Sequence, residues 1–158
     1  AKGGRLKSKL MNLITSIEAD LLAALKAGDD FTKETLRFLK SIIKNAEIDT
    51  GKPLDDQQVT TIIQREVKKR VEAEAIYRDI DKIDLADKEY QEMMLLKKYL
   101  PEQMDEATVI VVVEKYLKAN PTEMSQMGQA MGALSAELKG QADMSLVSQI
   151  LRQKIQNG

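Results

Sequence analysis

The stretch Met127-Gly128-Gln129-Ala130-Met131-Gly132-Ala133-Leu134, running on through Lys139-Gly140-Gln141-Ala142-Asp143 to Leu146-Val147-Ser148-Gln149-Ile150-Leu151, reads as two short helices and the loop between them. At 100° per residue, Met127, Met131, Leu134 and Leu138 fall in one narrow stripe, while Gly128, Gly132, Ala136 and Gly140 recur every four residues about a third of a turn away. Glycine inside a helix costs roughly 1 kcal/mol relative to alanine. The small-residue edge is therefore a candidate surface for a close-packed helix or a partner. Gly140 stops the first helix and Asp143 caps the second, whose buried face is Leu146, Val147, Ile150, Leu151 and Ile155.

Working outward, the same periodicity predicts helices almost throughout. One runs from about Ser8 to Lys26, with Leu10, Leu13, Ile14, Ile17, Leu21 and Leu25 on its apolar side and Gly28 ending it. A second, from about Phe31 to Ile48, buries Leu36, Leu39, Ile42, Ile43 and Ala46. Thr50-Gly51-Lys52-Pro53 breaks the chain. Asp55 and Gln58 then form a capping box for a long helix reaching about Ile80, with Val59, Ile62, Ile63, Val67 and Val71 as its apolar stripe. Glu66, Arg70 and Glu74 read as a solvent-facing ladder on that helix. Asp84 is the expected cap of a fourth helix that ends near Tyr99-Leu100-Pro101.

The run Val109-Ile110-Val111-Val112-Val113 has the composition of a buried strand. A helix is expected instead, because Asp105 caps it, Met104 can staple to Val109, and no partner strand is evident elsewhere. The predicted fold is thus all-α and two-lobed. A larger N-terminal lobe of about four helices spans 8–99, a smaller three-helix lobe spans 100–158, and 1–7 is a flexible basic terminus.

These residues resemble the YqeY family, whose relatives include the tail domain of the B subunit of the tRNA-dependent Asp/Glu amidotransferase. The resemblance is carried by Met127-Gly128 with Met131-Gly132, by Lys139-Gly140-Gln141-Ala142-Asp143 and by Leu146-Val147 with Leu151. Upstream it includes Leu39-Lys40-Ser41-Ile42-Ile43-Lys44-Asn45-Ala46-Glu47-Ile48, Lys52-Pro53-Leu54-Asp55-Asp56 and Tyr99-Leu100-Pro101-Glu102-Gln103. It implies a helical module that binds tRNA or serves tRNA-dependent amidation as an accessory, the amidation itself being carbon–nitrogen ligation with glutamine as amido donor. It implies an RNA contact around Lys139 and the start of the last helix, although this chain has Gln141 and Ser145 where relatives often carry basic residues.

Composition narrows the chemistry. The 158 residues contain no histidine or cysteine, so the usual neutral-pH general base, thiolate nucleophile and zinc ligands are missing. No nucleophile elbow, phosphate-binding glycine loop or dinucleotide fingerprint occurs, and neither catalytic residues, a cofactor nor a metal is expected. Net charge is −1, so an RNA-facing surface has to be local. Residues 1–50 carry nine Lys or Arg against seven Asp or Glu, and 101–158 carry five against seven. Lys33, Arg37, Lys40 and Lys44 lie within about 60° on one side of the second helix and can track phosphates or simply solvate that face. Arg65, Lys68, Lys69 and Arg70 form a second, acid-diluted cluster.

Two partner classes follow. One is structured RNA, bound by Lys33, Arg37, Lys40, Lys44 and Lys139. The other is a protein of the tRNA-charging or amidation machinery, met by Gly128, Gly132, Ala136 and Gly140 with the neighbouring methionines. No apolar run reaches the roughly 20 residues of a membrane span, and the expected location is cytoplasmic.

Overall fold

A computed structural model describes residues 12–158, and among them seven α-helices account for the architecture. The expected flexible terminus over 1–7 and the first turn of the helix expected from Ser8 lie outside the described residues. The helices are α1 (Leu13–Ala27), α2 (Asp30–Thr50), α3 (Asp56–Asp79), α4 (Ile83–Lys97), α5 (Glu106–Ala119), α6 (Met127–Leu138) and α7 (Met144–Asn157). A single 3₁₀ turn, Met124–Gln126, leads into α6. The described residues contain no strand beyond an isolated bridge between Lys139 and Ala142. The fold is all-α, and the β-branched run at 109–113 is helical. Its Val109 and Val113 are fully buried one turn apart while Val111 is 63% exposed, a helical rather than alternating pattern.

Local signals place most of the boundaries. Asn12 accepts from the Thr15 N–H at 2.8 Å, Asp29 from Thr32 at 3.1 Å, and Asp105 from Thr108 at 2.8 Å. Those bonds, to the Thr32 hydroxyl and amide and to the corresponding Thr108 groups, hold the Asp29 and Asp105 carboxyls below the usual range. The Asp55–Gln58 capping box forms in both directions, at 2.8 and 2.9 Å. Gly28 and Gly51 end α1 and α2 in left-handed conformations that other residues adopt at a cost. One expected cap is corrected: α4 starts at Ile83, so Asp84 sits inside its first turn, and the preceding residue Lys82 makes no side-chain cap bond. The chain enters α4 through Asp81, whose φ of 61° is the positive value among described non-glycine residues.

Contacts group the chain into two compact units that meet in sequence at Tyr99 and Leu100. In the N-terminal unit, α3 and α4 form the most extensively packed pair, with α1 and α2 as a second pair. Its core includes Ile17, Leu21, Leu36, Leu39, Val59, Ile63, Met93 and Leu96. Leu25, expected on the apolar side of α1, is 46% exposed, and Ala24 is buried in its place. Tyr99 closes this unit by donating from its hydroxyl to Asp20. Burial, and then the Asp20 carboxylate, push that phenol well above its ordinary pKa.

The solvent ladder expected on α3 is also corrected. Glu66 and Arg70 face inward, with side chains only 5% and 10% exposed, and Val71 is the residue turned out. The Arg70 Nη1 donates to a Glu66 carboxylate oxygen at 2.9 Å and to the Glu66 carbonyl at 3.0 Å. Its Nε donates to Glu92 of α4 at 3.2 Å, and the guanidinium lies 5.6 Å from the centre of the Phe38 ring of α2. At 100° per residue, Arg70 falls between Val59 and Ile63 in angle, whereas Val71 falls outside that stripe. Three helices thus converge on one cation. Burial, reinforced by the Glu92 charge, raises the pKa of nearby Glu89, against which Arg70 acts.

The C-terminal unit has its own core of Val109, Val113, Ala130, Leu134, Leu138, Ala142, Val147, Ile150 and Leu151. Met104, Met127, Met131 and Met144 pack around it, filling the rim with pliable side chains. Met124, 42% exposed, is the exception.

Removing the cation from a buried ion pair leaves its partner charge uncompensated, which typically costs about 3–5 kcal/mol. Arg70→Ala is therefore expected to lower the urea-unfolding free energy by an amount on that order, and Arg70→Lys by less. An Arg70→Ala loss below about 1 kcal/mol, the ordinary value of an exposed pair, would show that the triad carries no special load.

Candidate functional site

The cations singled out on α2 divide once their partners are known. Lys33 is largely buried for a lysine, at 23% side-chain exposure, and is held by Asp30 at 3.2 Å and Glu34 at 3.8 Å. It is spent on the first turn of its own helix. Arg37 lies 4.0 Å from Glu34 and remains half exposed, Lys40 lies 3.8 Å from Glu18 of α1, and Lys44 forms no ion pair among the described residues. Arg37, Lys40 and Lys44 line one open groove of about 400 Å³ together with Leu21, Ser41 and Asn45. The groove therefore has three cations and two neutral hydrogen-bonding side chains over an aliphatic floor.

Ser41 and Asn45 were missed by a search for charge alone. The available signal was their spacing: they follow Arg37 by one and two turns and must share its side of the helix. The second basic cluster does not assemble into a surface. Arg70 is buried in the ion-pair triad, and Lys69 pairs with Glu66 at 3.2 Å.

Lys139 belongs to the C-terminal unit, where it is exposed at the end of α6. The loop that follows is braced rather than open. Gly140 is buried with a φ of 88°, its carbonyl accepts from the Gln103 side-chain amide at 2.7 Å, and the Gln141 carbonyl accepts from the Met104 N–H at 2.8 Å. The Asp143 carboxylate takes the Ser145 N–H at 2.9 Å. It thereby places a negative charge where an anion would approach the start of α7. Among the described residues, no group of three or more acidic, histidine or cysteine side chains is placed to hold a metal ion, and no helix is long and apolar enough to cross a membrane.

The glycine edge behaves unexpectedly. Gly128, Gly132 and Ala136 are all exposed, and a methyl group built on either glycine would meet nothing within 4 Å. The close helix packing anticipated from the sequence does not occur at Gly128 or Gly132; α6 packs through Ala130, Leu134 and Leu138 instead. Gly140 alone of that series is buried, as the left-handed residue after the helix. Because both helical glycines have room for a side chain, Gly128→Ala and Gly132→Ala are each expected to stabilise the protein by about 0.5–1 kcal/mol. Thermal unfolding followed by circular dichroism checks this; destabilisation by either substitution would mean that the methyl group meets an obstacle the structure does not contain.

Comparison with known proteins fits the helical picture. Residues 14–155 match the family model described as Yqey-like protein. A Clavispora lusitaniae protein named "Altered inheritance of mitochondria protein 41, mitochondrial" is 34% identical over 97 residues, covering 60% of this chain and 56% of the relative. The protein of the same name from Vanderwaltozyma polyspora is 33% identical over 112 residues, covering 66% and 58%. An uncharacterised protein of Schizosaccharomyces pombe is 30% identical over 95 residues, covering 60% and 77%. The chain spans about half the length of the mitochondrial relatives it matches. Their names overturn the cytoplasmic expectation. That expectation rested on the lack of an apolar span, and a helical core of this kind is equally suited to a mitochondrial compartment. With the match extending through both units, from α1 to the last turns of α7, this chain belongs to the YqeY family.

Proposed function

We propose that the protein is a non-catalytic helical module that binds structured RNA of the tRNA kind through the groove between α1 and α2. The observation that carries the reading is the convergence of Arg37, Lys40 and Lys44 with Ser41 and Asn45 in one groove. Cations spaced along a helix suit successive phosphates, and the Asn45 amide suits a phosphate or ribose oxygen without fixing a base sequence, while the Ser41 hydroxyl donates to the Phe38 carbonyl at 2.6 Å and is left to accept from a ribose hydroxyl. Lys33 is assigned a supporting role because Asp30 and Glu34 already neutralise it. Lys139 is a separate, outlying contact in this reading. The chain contains neither imidazole nor thiol, so it serves chemistry performed by others. The resemblance to the amidotransferase tail suggests tRNA-dependent amidation as that chemistry, and the names of the fungal relatives suggest a mitochondrial setting.

Fluorescence anisotropy with labelled tRNA at two salt concentrations tests this. Three neutralised phosphates imply an affinity loss of roughly 40-fold between about 50 and 200 mM salt. Lys40→Glu combined with Lys44→Glu is expected to weaken binding further, by more than about tenfold at the lower salt. No binding at low salt, or binding indifferent to both substitutions, removes the proposal.

A second reading is favoured by the exposed glycines of α6. Among the described residues no contact offsets their cost to the helix, which suits a protein partner whose backbone approaches closely along Gly128, Gly132 and Ala136. Gly132→Leu would then abolish retention of an amidation or tRNA-charging protein in a pull-down while leaving the circular dichroism spectrum intact. Retention by the leucine variant equal to that of the original chain would exclude the glycine edge as the contact.

A further inference from the structure

Two rows of side chains run along the last turns of α4, each at spacings of four and then three: Tyr90, Met94 and Lys97 in one, Gln91, Leu95 and Lys98 in the other. Such spacings keep each row on one side of a helix. Lys98 follows the helix proper but keeps right-handed helical backbone angles, so the second row continues through it. Core packing uses a different side of α4, through Ala86, Met93 and Leu96. Both rows border an open groove of about 490 Å³, to which α2 contributes Phe31 and Thr32 from its first turn.

The lining is sorted along its length. Phe31, Tyr90, Met94 and Leu95 bring two rings, a thioether and an aliphatic chain, and Tyr90 and Met94 are each 45% exposed. Each row then ends on a lysine, and the two lysines stand on either side of Met94 in angle. Neither Lys97 nor Lys98 forms an ion pair among the described residues. The lining contains no carboxylate. Carboxylates on the bordering turns are turned to other partners: Asp29 accepts from the Thr32 amide and hydroxyl, Asp30 pairs with Lys33 at 3.2 Å, and Asp87 pairs with Arg78 at 3.1 Å. The groove is therefore apolar along its body and cationic at one end. A purely apolar ligand would leave the cations unused, and RNA would gain little, since two charges at one end do not track a run of phosphates.

We propose that this groove binds a single amphipathic anion, an apolar ring or chain lying against Phe31, Tyr90, Met94 and Leu95 with its anionic head between Lys97 and Lys98. The volume lies within the roughly 300–1,000 Å³ of small-molecule clefts. The lining shares no residue with the α1–α2 groove, so this reading and the RNA reading succeed or fail separately.

The test is a fluorescence titration of the full chain with anilinonaphthalene sulfonate, an aromatic anion whose emission rises as it leaves water. Saturable one-to-one binding is expected, with the uncharged counterpart phenylnaphthylamine bound several-fold more weakly. Lys97→Gln with Lys98→Gln is expected to weaken the sulfonate by about fivefold, as suits the loss of two exposed ion pairs, and to leave the uncharged probe unchanged. Met94→Glu should abolish binding of both probes, with circular dichroism confirming an intact helical fold. Laurate displaces the sulfonate if the groove accepts a chain, and indoleacetate displaces it if the groove accepts a ring; displacement by neither overturns the proposal. So does the lack of saturable binding up to millimolar probe, equal affinity for the charged and uncharged probes, or binding indifferent to the lysine and methionine substitutions.

Discussion

A guanidinium withdrawn from water must find partners for its charge and its N–H groups, and Arg70 finds them on its own helix and on α4, with the ring of Phe38 on α2 against its face. Leucine packing alone tolerates small rotations of one helix against another. A forked cation held by two carboxylates tolerates few, because turning α3 would pull Nε away from Glu92 or leave Glu66 buried without a counter-charge. The triad therefore sets the rotation of α3, and through it the faces that α2 and α4 turn outward. Arg37, Lys40 and Lys44 of α2 line an open groove within that arrangement.

The C-terminal unit is specified differently. No buried ion pair occurs among its described residues, and its core is a set of aliphatic side chains edged by methionines. Orientation there comes from backbone devices. The Gly140 turn and the hydrogen bonds from Gln103 and Met104 to the loop after α6 tie the start of the unit to its middle. The same bracing fixes the loop beside Lys139, where the family resemblance points, and Asp143 caps the start of α7.

Much of this was legible in sequence, and the exceptions have identifiable causes. The caps at Asp55, Asp105 and Asp143 were legible because an N-cap is a local event, needing a carboxylate two or three residues before a free amide. The helical state of Val109 to Val113 was legible because a strand requires partners and the flanking residues were helical. Glu66 and Arg70 were misassigned because charge was taken as a marker of the surface, although their angular position put them amid the apolar stripe. The glycines of α6 were legible as a small-residue edge, but residue size permits a close approach without supplying the neighbour, and among the described residues no helix packs against Gly128 or Gly132.

By itself, then, the sequence determined what depends on neighbours along the chain: the all-helical state, the places where most helices start and stop, and the absence of imidazole and thiol chemistry. The tertiary structure decided which cations remain free, that three of the α2 cations share a groove with Ser41 and Asn45, that Arg70 is interior, and that Gly128 and Gly132 face open space. The physical reason is range. Capping and helical periodicity act within a turn or two, whereas the burial of a charge or the emptiness beside a glycine depends on which distant helix arrives there, and that follows from how the whole unit excludes water.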